Sequence, residues 1–290
     1  MLAPFLFDSI VILGGSGYVG SNLVRELKGV GVKVQSPAST EIDLTSESSV
    51  EKLVQSFHPN TAIVFSACIS PDRGTTSGTF LSNVRMAHVL SEAIKKHAPT
   101  YLVYLSANGV YEDYQSPCLE SVLPTPQSLY GMMHLSRELI LTQTCRVAGI
   151  PLMILRPGSI YGPADLHDYY GPTRFMRTAL TKGYIELYGG GEELRDHVFI
   201  DDVIRVICAC LQNQTTGLLN VSSGNSRTFR EISSVIANLS KMAVEIRSIP
   251  RLKGRDVSHR HISAVKLLTT FPGLSPLSVN MSLASMLIGK

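Results

Sequence analysis

The chain has 290 residues, 17% of them charged and 44% hydrophobic, with a formal net charge of +3. Such a chain can bury a substantial core, and its composition excludes an intrinsically disordered protein. The weak positive balance is scattered with no Lys/Arg block, which argues against nucleic acid as a partner.

The opening MLAPFLFDSIVIL is apolar, lacks a basic leader and runs straight into a glycine turn. It therefore reads as a first buried strand, not a signal peptide. Residues 18–29 read as a helix, and VKVQ (32–35) as a short strand. In SSVEKLVQSF, Val50, Leu53, Val54 and Phe57 fall on one helical face. TAIVFSA (61–67) is strand-like, 79–97 helical, YLVYLS (101–106) strand-like, 128–148 helical and PLMILRP (151–157) strand-like. This alternation predicts a doubly wound parallel sheet covered on both faces. SIYGPADLHDYYGP (159–172) reads as a loop. Helices follow near 173–182, 201–212 and 228–239, with strands near 184–188 and 218–221. The expected organisation is a sheet domain over 1–160 plus about 197–221, and a smaller lobe over about 161–196 and 222–290.

No apolar run reaches the roughly 20 residues of a membrane span, so a soluble cytoplasmic protein without a membrane partner is expected. Five cysteines without regular spacing (68, 118, 145, 208 and 210) argue against a disulfide framework and give no zinc pattern. His259 and His261 lie in a polar stretch and read as surface residues, so no metal site is expected.

GGSGYVG (14–20) follows a strand and opens a helix, the context in which a Gly15-x-Gly17-x-x-Gly20 pattern suggests dinucleotide binding. Gly14 and Gly15 allow a tight turn, Gly17 lets backbone approach a pyrophosphate, and Gly20 lets the helix pack on the strand. Ser16, Tyr18 and Val19 complete the turn. The alternative is a turn that only packs. An acid at the end of the second strand would bind the ribose of NAD, but Gln35 and Ser36 stand there, which favours NADP. Asp43 and Leu44 follow, either at the adenine edge or as a helix cap.

Taken together, GGSGYVG, IDLT (42–45), VFSAC (64–68), SNVRMAHVLSEA (82–93), LVYLSANGVYED (102–113), LYGMMHLSRE (129–138), LRPGSIYGP (155–163), GGGEELRDHVFIDDV (189–203) and LLNVSSGNSRTFREI (218–232) resemble the extended short-chain dehydrogenase/reductases. This is the group of NAD(P)-dependent nucleotide-sugar epimerases, dehydratases and reductases. The resemblance implies a Rossmann-type fold with a smaller C-terminal substrate-binding lobe, and a homodimer built from the helices near 79–97 and 128–148. It also implies a Tyr-x-x-x-Lys pair and a preceding Ser or Thr in the site.

The physical need for such a pair is plain. A tyrosine titrates near 10, too high for a good base at neutral pH, and a nearby positive charge lowers that value. Tyr130 is present, but His134 occupies the lysine position, and Ala107 stands where Ser or Thr is usual. Residues i and i+4 share a helix face, so Tyr130 and His134 can reach one site. Ser106 and Asn108 are the remaining polar candidates for holding substrate. Ala67, Cys68, Asn83 and Pro157 match positions that line the cofactor, with Cys68 a wall residue and not a nucleophile, and Asn83 alternatively a local cap or backbone-bonding residue. Arg195 and Arg255 resemble groups that grip a nucleotide-sugar diphosphate, a role suited to a planar bidentate cation, with a surface salt bridge as the alternative for each.

Two functions follow from this reading. One is an NAD(P)-dependent epimerase, dehydratase or ketoreductase with Tyr130 exchanging the proton. The other is a non-catalytic dinucleotide-binding regulator or partner subunit that keeps the fold.

Overall fold

A computed structural model describes residues 5–111, 114–165, 170–251 and 257–288. In chain order the elements are β1 (Ser9–Leu13), α1 (Tyr18–Gly29), β2 (Val34–Gln35), α2 (Val50–Gln55), β3 (Thr61–Phe65), α3 (Ser77–Lys96), β4 (Tyr101–Leu105) and β5 (Tyr114–Cys118). Then come α4 (Leu129–Ala148), β6 (Leu152–Pro157), β7 (Ser159–Tyr161), α5 (Pro172–Lys182), β8 (Tyr184–Tyr188), β9 (Leu194–Arg195) and β10 (His197–Phe199). The remainder is α6 (Ile200–Asn213), β11 (Gly217–Val221), β12 (Arg227–Thr228), α7 (Phe229–Ser240), β13 (Glu245–Ile249), β14 (Arg260–Ile262), α8 (Val265–Thr270) and α9 (Val279–Ile288).

The chain forms two compact units. The first comprises Met1–Glu112, Leu123–Arg156 and Ile204–Leu219; the second comprises Asp113–Val122, Pro157–Val203 and Asn220–Lys290. The stretches 114–122, 157–160, 197–203 and 220–221, which the sequence alone assigns to the sheet domain, fall in the second unit.

A six-stranded sheet in the order β11-β6-β4-β3-β1-β2 organises the first unit. β1 pairs in parallel with both β2 and β3, β3 with β4, and β4 with β6. The strands are apolar on both faces because helices cover both: β1 and β3 are buried along their whole length. Val11, Leu13, Ile63, Phe65, Leu102 and Tyr104 pack with Leu53, Leu90, Ile94 and Leu141 in one core cluster. Full burial of each large apolar side chain contributes roughly 1.5–3 kcal/mol before entropy is subtracted. The chain leaves β1 toward β2 on one side and returns to β3 on the other. The sheet therefore has its switch point between β1 and β3, where the strand carboxyl ends open a crevice.

The second unit contains three small sheets: β12-β9-β14-β5, β13-β8 and β10-β7. The stretch 159–172, which composition reads as a loop, begins with β7, and its three residues pair in parallel with His197–Phe199. A strand this short carries no periodicity to detect. Tyr170, Phe175, Tyr188, His197 and Phe229 form an aromatic cluster with ring centroids 4.6–5.8 Å apart between contacting pairs. Asp196, fully buried, accepts hydrogen bonds from Ser222 Oγ (2.8 Å), Ser223 N (2.9 Å) and Ser223 Oγ (3.1 Å). Among the described residues no helix is long and apolar enough to cross a membrane.

Candidate active site

The glycine turn joins the switch point. Gly14 has φ +96°, a conformation that side chains rarely adopt, and a Cβ there would sit 2.5 Å from Ala67 N. Ser66 N donates to the Leu13 carbonyl at 2.9 Å, so the loops leaving β1 and β3 are stitched together. A Cβ on Gly15 would meet Ser36 Oγ at 1.8 Å, and one on Gly20 would meet the Gly14 carbonyl at 2.1 Å. At Gly17 a Cβ would meet only the Gly14 carbonyl, at 3.2 Å, so backbone is open to an approaching group. Gly17 caps α1 without a side-chain acceptor, and the first turn holds no acid. The amides of that turn thus suit an anion, and these residues fit a dinucleotide pyrophosphate.

The other cofactor candidates occupy definite places. Ser16 and Gly17 are exposed, and Tyr18 and Val19 half-buried, at the helix start. Leu44 belongs to the core cluster. Asp43 is exposed and accepts from Thr45 N (2.9 Å) and Thr45 Oγ1 (2.7 Å), which lowers its carboxyl pKa. Its carboxylate thus caps the turn into the following helix. Asn83 uses its whole amide on the backbone of Ile69, accepting from N at 2.8 Å and donating to O at 3.0 Å. It fixes the segment after β3, and a direct cofactor contact would have to break this clamp. Pro157 is buried at the end of β6.

The helix α4 opens on Ser128, whose Oγ accepts from Gly131 N at 3.1 Å. Gly131 is required by close approach, since a Cβ would sit 2.0 Å from the Gly109 carbonyl. This contact sets half-buried Tyr130 against the 3-10 turn Asn108–Val110. A Cβ on Gly109 would lie 3.5 Å from the Tyr130 ring. His134 meets Tyr130 edge-on, with centroids 4.6 Å apart and an interplanar angle of 80°. His134 Nδ1 lies 2.7 Å from the Tyr104 hydroxyl, while Nε2 is buried without a partner. Burial first, and the Arg137 charge second, hold the imidazole well below its ordinary pKa of 6.5, so it is neutral at pH 7.

Ser106 and Asn108 part company. Ser106 Oγ donates to Glu138 Oε1 at 2.5 Å, and Arg156 reaches the same carboxylate through Nε (2.9 Å) and a terminal nitrogen (2.5 Å). Its hydroxyl is committed to a buried ion pair, which argues against the substrate-holding role expected of it. Asn108 is also buried, but its Nδ2 has no hydrogen-bond partner. Ala107 between them is buried and brings no polar group.

Arg137 is a member of this site that the sequence did not flag. Its side chain is fully buried, stacked 4.1 Å from the Phe65 centroid and 5.1 Å from that of Tyr104. One terminal nitrogen donates to the Ala67 carbonyl at 2.8 Å. Burial raises the pKa of the neighbouring Cys68 thiol despite the opposing pull of Arg137. A thiol kept protonated is a poor nucleophile.

In the second unit, strand pairing aligns three arginines. Arg195 on β9 faces Arg227 on β12 and Arg260 on β14 in register. Like charges set opposite one another across a sheet are unfavourable unless something else stabilises them. Arg195 donates to the Ser258 carbonyl (2.6 Å) and to Ser258 Oγ (2.7 Å), and Arg227 Nε is buried without a partner. Arg227 and Arg260 were not evident in the sequence because pairing, not spacing, brings them together. Arg255 lies outside the described residues.

The chain is similar to several known proteins. A protein of Bacillus subtilis (strain 168), described as an uncharacterized UDP-glucose epimerase (YtcB), is 30% identical over 129 residues, 44% of this chain and 40% of that protein. The match thus spans well under two thirds of the curated relative. The UDP-glucose 4-epimerase of Thermus thermophilus, solved as a complex with NAD, superposes with a TM-score of 0.85 at 22% identity over 97% of this chain and 98% of its own. That of Thermotoga maritima, solved with UDP-glucose, gives 0.84 at 22% identity over 97% of each chain. At such identities the likeness establishes the fold. The family model described as "NAD dependent epimerase/dehydratase family" matches residues 10–222, well over half of the 290. The chain belongs to the NAD-dependent epimerase/dehydratase family.

Proposed function

We propose that the protein is an NAD(P)-dependent enzyme acting on a nucleotide sugar, by epimerisation, dehydration or ketone reduction. The observation that carries this reading is the placement of Tyr130 in the first unit. It opens a helix whose Arg137 is bonded to Ala67, the residue packed on Gly14 of the glycine turn. The bound dinucleotide would supply hydride exchange at a sugar carbon. Tyr130 would take or return the proton of the hydroxyl on that carbon. Asn108 Nδ2 would donate to the substrate oxygen, in place of the usual Ser or Thr. In one neutral tautomer the Tyr104 hydroxyl donates to His134 Nδ1, which leaves the unpartnered Nε2–H to hold a ribose hydroxyl.

The arginines at 195, 227 and 260 would receive the diphosphate of the substrate, where a guanidinium fits phosphate oxygens well. Ser36 beside Gly15, in place of an acid, favours the 2′-phosphate of NADP. Exposed Leu81 on α3, with Met132, Leu139 and Val147 on α4, supports a homodimer formed by these two helices.

The test is calorimetric binding of NAD, NADH, NADP and NADPH, then nicotinamide absorbance on adding nucleotide sugars, with product analysis. Binding followed by sugar conversion is expected, and NADPH should bind more tightly than NADH. Binding with no conversion of any sugar would favour a regulatory dinucleotide-binding subunit. Absence of dinucleotide binding would overturn the reading.

A further inference from the structure

Tyr130 needs a positive charge near it to act as a base at neutral pH, and the residue one turn away, His134, is buried and neutral. Arg137 lies two turns from Tyr130 on the same helix face and is a buried cation. Side chains on a helix lean toward its N-terminus, so a long residue at 137 covers the turn below it. Accordingly a terminal nitrogen of Arg137 lies 3.7 Å from Met133 Sδ. The guanidinium has an aromatic floor of Phe65 and Tyr104 and one carbonyl partner, Ala67. Among the described residues it makes no ion pair, and its Nε is buried without a partner. The surrounding titratable groups are Cys68 after β3, with Asp72 beyond it, Tyr104 on β4, and His134 and Glu138 on α4. Glu138, the one buried carboxylate in this set, is held by Arg156 of β6, which itself lies over Tyr111. In this cluster two buried guanidiniums meet one buried carboxylate among the described residues, a costly arrangement unless the surplus charge is used.

We propose that Arg137 is a positioning residue that supplies the fixed positive charge for Tyr130, while His134 keeps only a neutral hydrogen-bonding task. The two duties that one lysine could perform are thus divided between two residues a turn apart. The inference rests on the proposed dehydrogenase-type reading of Tyr130, but its test does not need a substrate. Arg137 acts through the field it sets up at Tyr130.

The titration of Tyr130 can be followed in the ligand-free full chain as the phenolate absorbance that Tyr130→Phe removes. Arg137→Met should raise that midpoint by about one pH unit, a tenfold loss of phenolate at neutral pH. Arg137→Lys should leave it within a few tenths of a unit. Joining His134→Lys to Arg137→Met returns a cation to the same helix face and should bring the midpoint back. If Arg137→Met does not fold, Arg137→Gln keeps a donor for Ala67 and should show the same upward shift. An unchanged Tyr130 midpoint in a folded Arg137→Met or Arg137→Gln protein overturns the proposal, as does a double variant that stays at the shifted value. Calorimetry on the same variants separates the two readings. A wild type that binds no dinucleotide sinks the functional reading and leaves the titration result standing, whereas intact binding with an unmoved midpoint sinks only the charge assignment.

Discussion

Among the described residues of the first unit two guanidiniums are buried, and they differ in what meets them. Arg156 finds the Glu138 carboxylate at both oxygens, and the two side chains are 4% and 6% exposed. Arg137, on the same helix as that glutamate, finds two aromatic faces and a carbonyl. The first charge is cancelled on the spot and serves packing between β6 and α4. The second keeps its field, which is worth retaining only where a neighbouring group must be held in an ionised or polarised state.

The comparison can be broken by removing each cation in turn. Arg156→Met leaves the Glu138 carboxylate buried and unpaired, and should cost about 3–5 kcal/mol in urea denaturation. Arg137→Met removes an uncompensated buried charge, so its stability should stay within about 1 kcal/mol of wild type or rise. Equal losses for the two variants would erase the distinction. A second effect comes from acid. His134 in the first unit is depressed well below 6.5, and His197 in the second is depressed to about 3 through burial, with Arg195 adding. Both bind fewer protons folded than unfolded, so their stabilisation is complete above pH 6.5 and is lost as pH falls below it. Stability should drop by about 1.4 kcal/mol per pH unit per histidine in that window. His197→Phe should flatten the slope measured between pH 6.5 and 4. Asn83→Ala removes both amide contacts to Ile69 and should cost about 1–2 kcal/mol, with weaker dinucleotide binding in the same preparation. Smallest of all, Thr228→Ala breaks the capping box of α7 and should cost about 1 kcal/mol without moving the Tyr130 titration.

Much of the first unit was legible before any coordinates. Fully buried parallel strands write themselves as apolar runs, and the twelve residues of α1 begin and end where the sequence suggested. Gly14, Gly20 and the Tyr130 helix were evident because close approach and helix-face geometry each leave a local mark. The state of the site residues was not legible. Nothing local says that Ser106 would turn to Glu138, 32 residues away, and while backbone bonding was one reading of Asn83, nothing local names Ile69, 14 residues away, as its partner. Arg137 escaped notice for a similar reason. An arginine on a 20-residue helix reads as solvated until packing shows which face it occupies. The second unit was less legible still. Its two- and three-residue strands β9, β10, β12 and β14 carry no periodicity. They exist because distant segments happen to pair.

The arginine row on β12, β9 and β14 has a practical consequence for anyone handling the protein. If the row receives phosphate as proposed, a multivalent anion in the buffer would compete for it as a ligand. By mass action such a solute stabilises the folded unit, by about 2.7 kcal/mol when present at a hundred times its dissociation constant. On that reading, phosphate or sulfate would raise the melting temperature and, in the same measure, hide part of the affinity for the proposed diphosphate. Affinities taken in phosphate and in a zwitterionic buffer should differ, and the difference is itself a reading of that row.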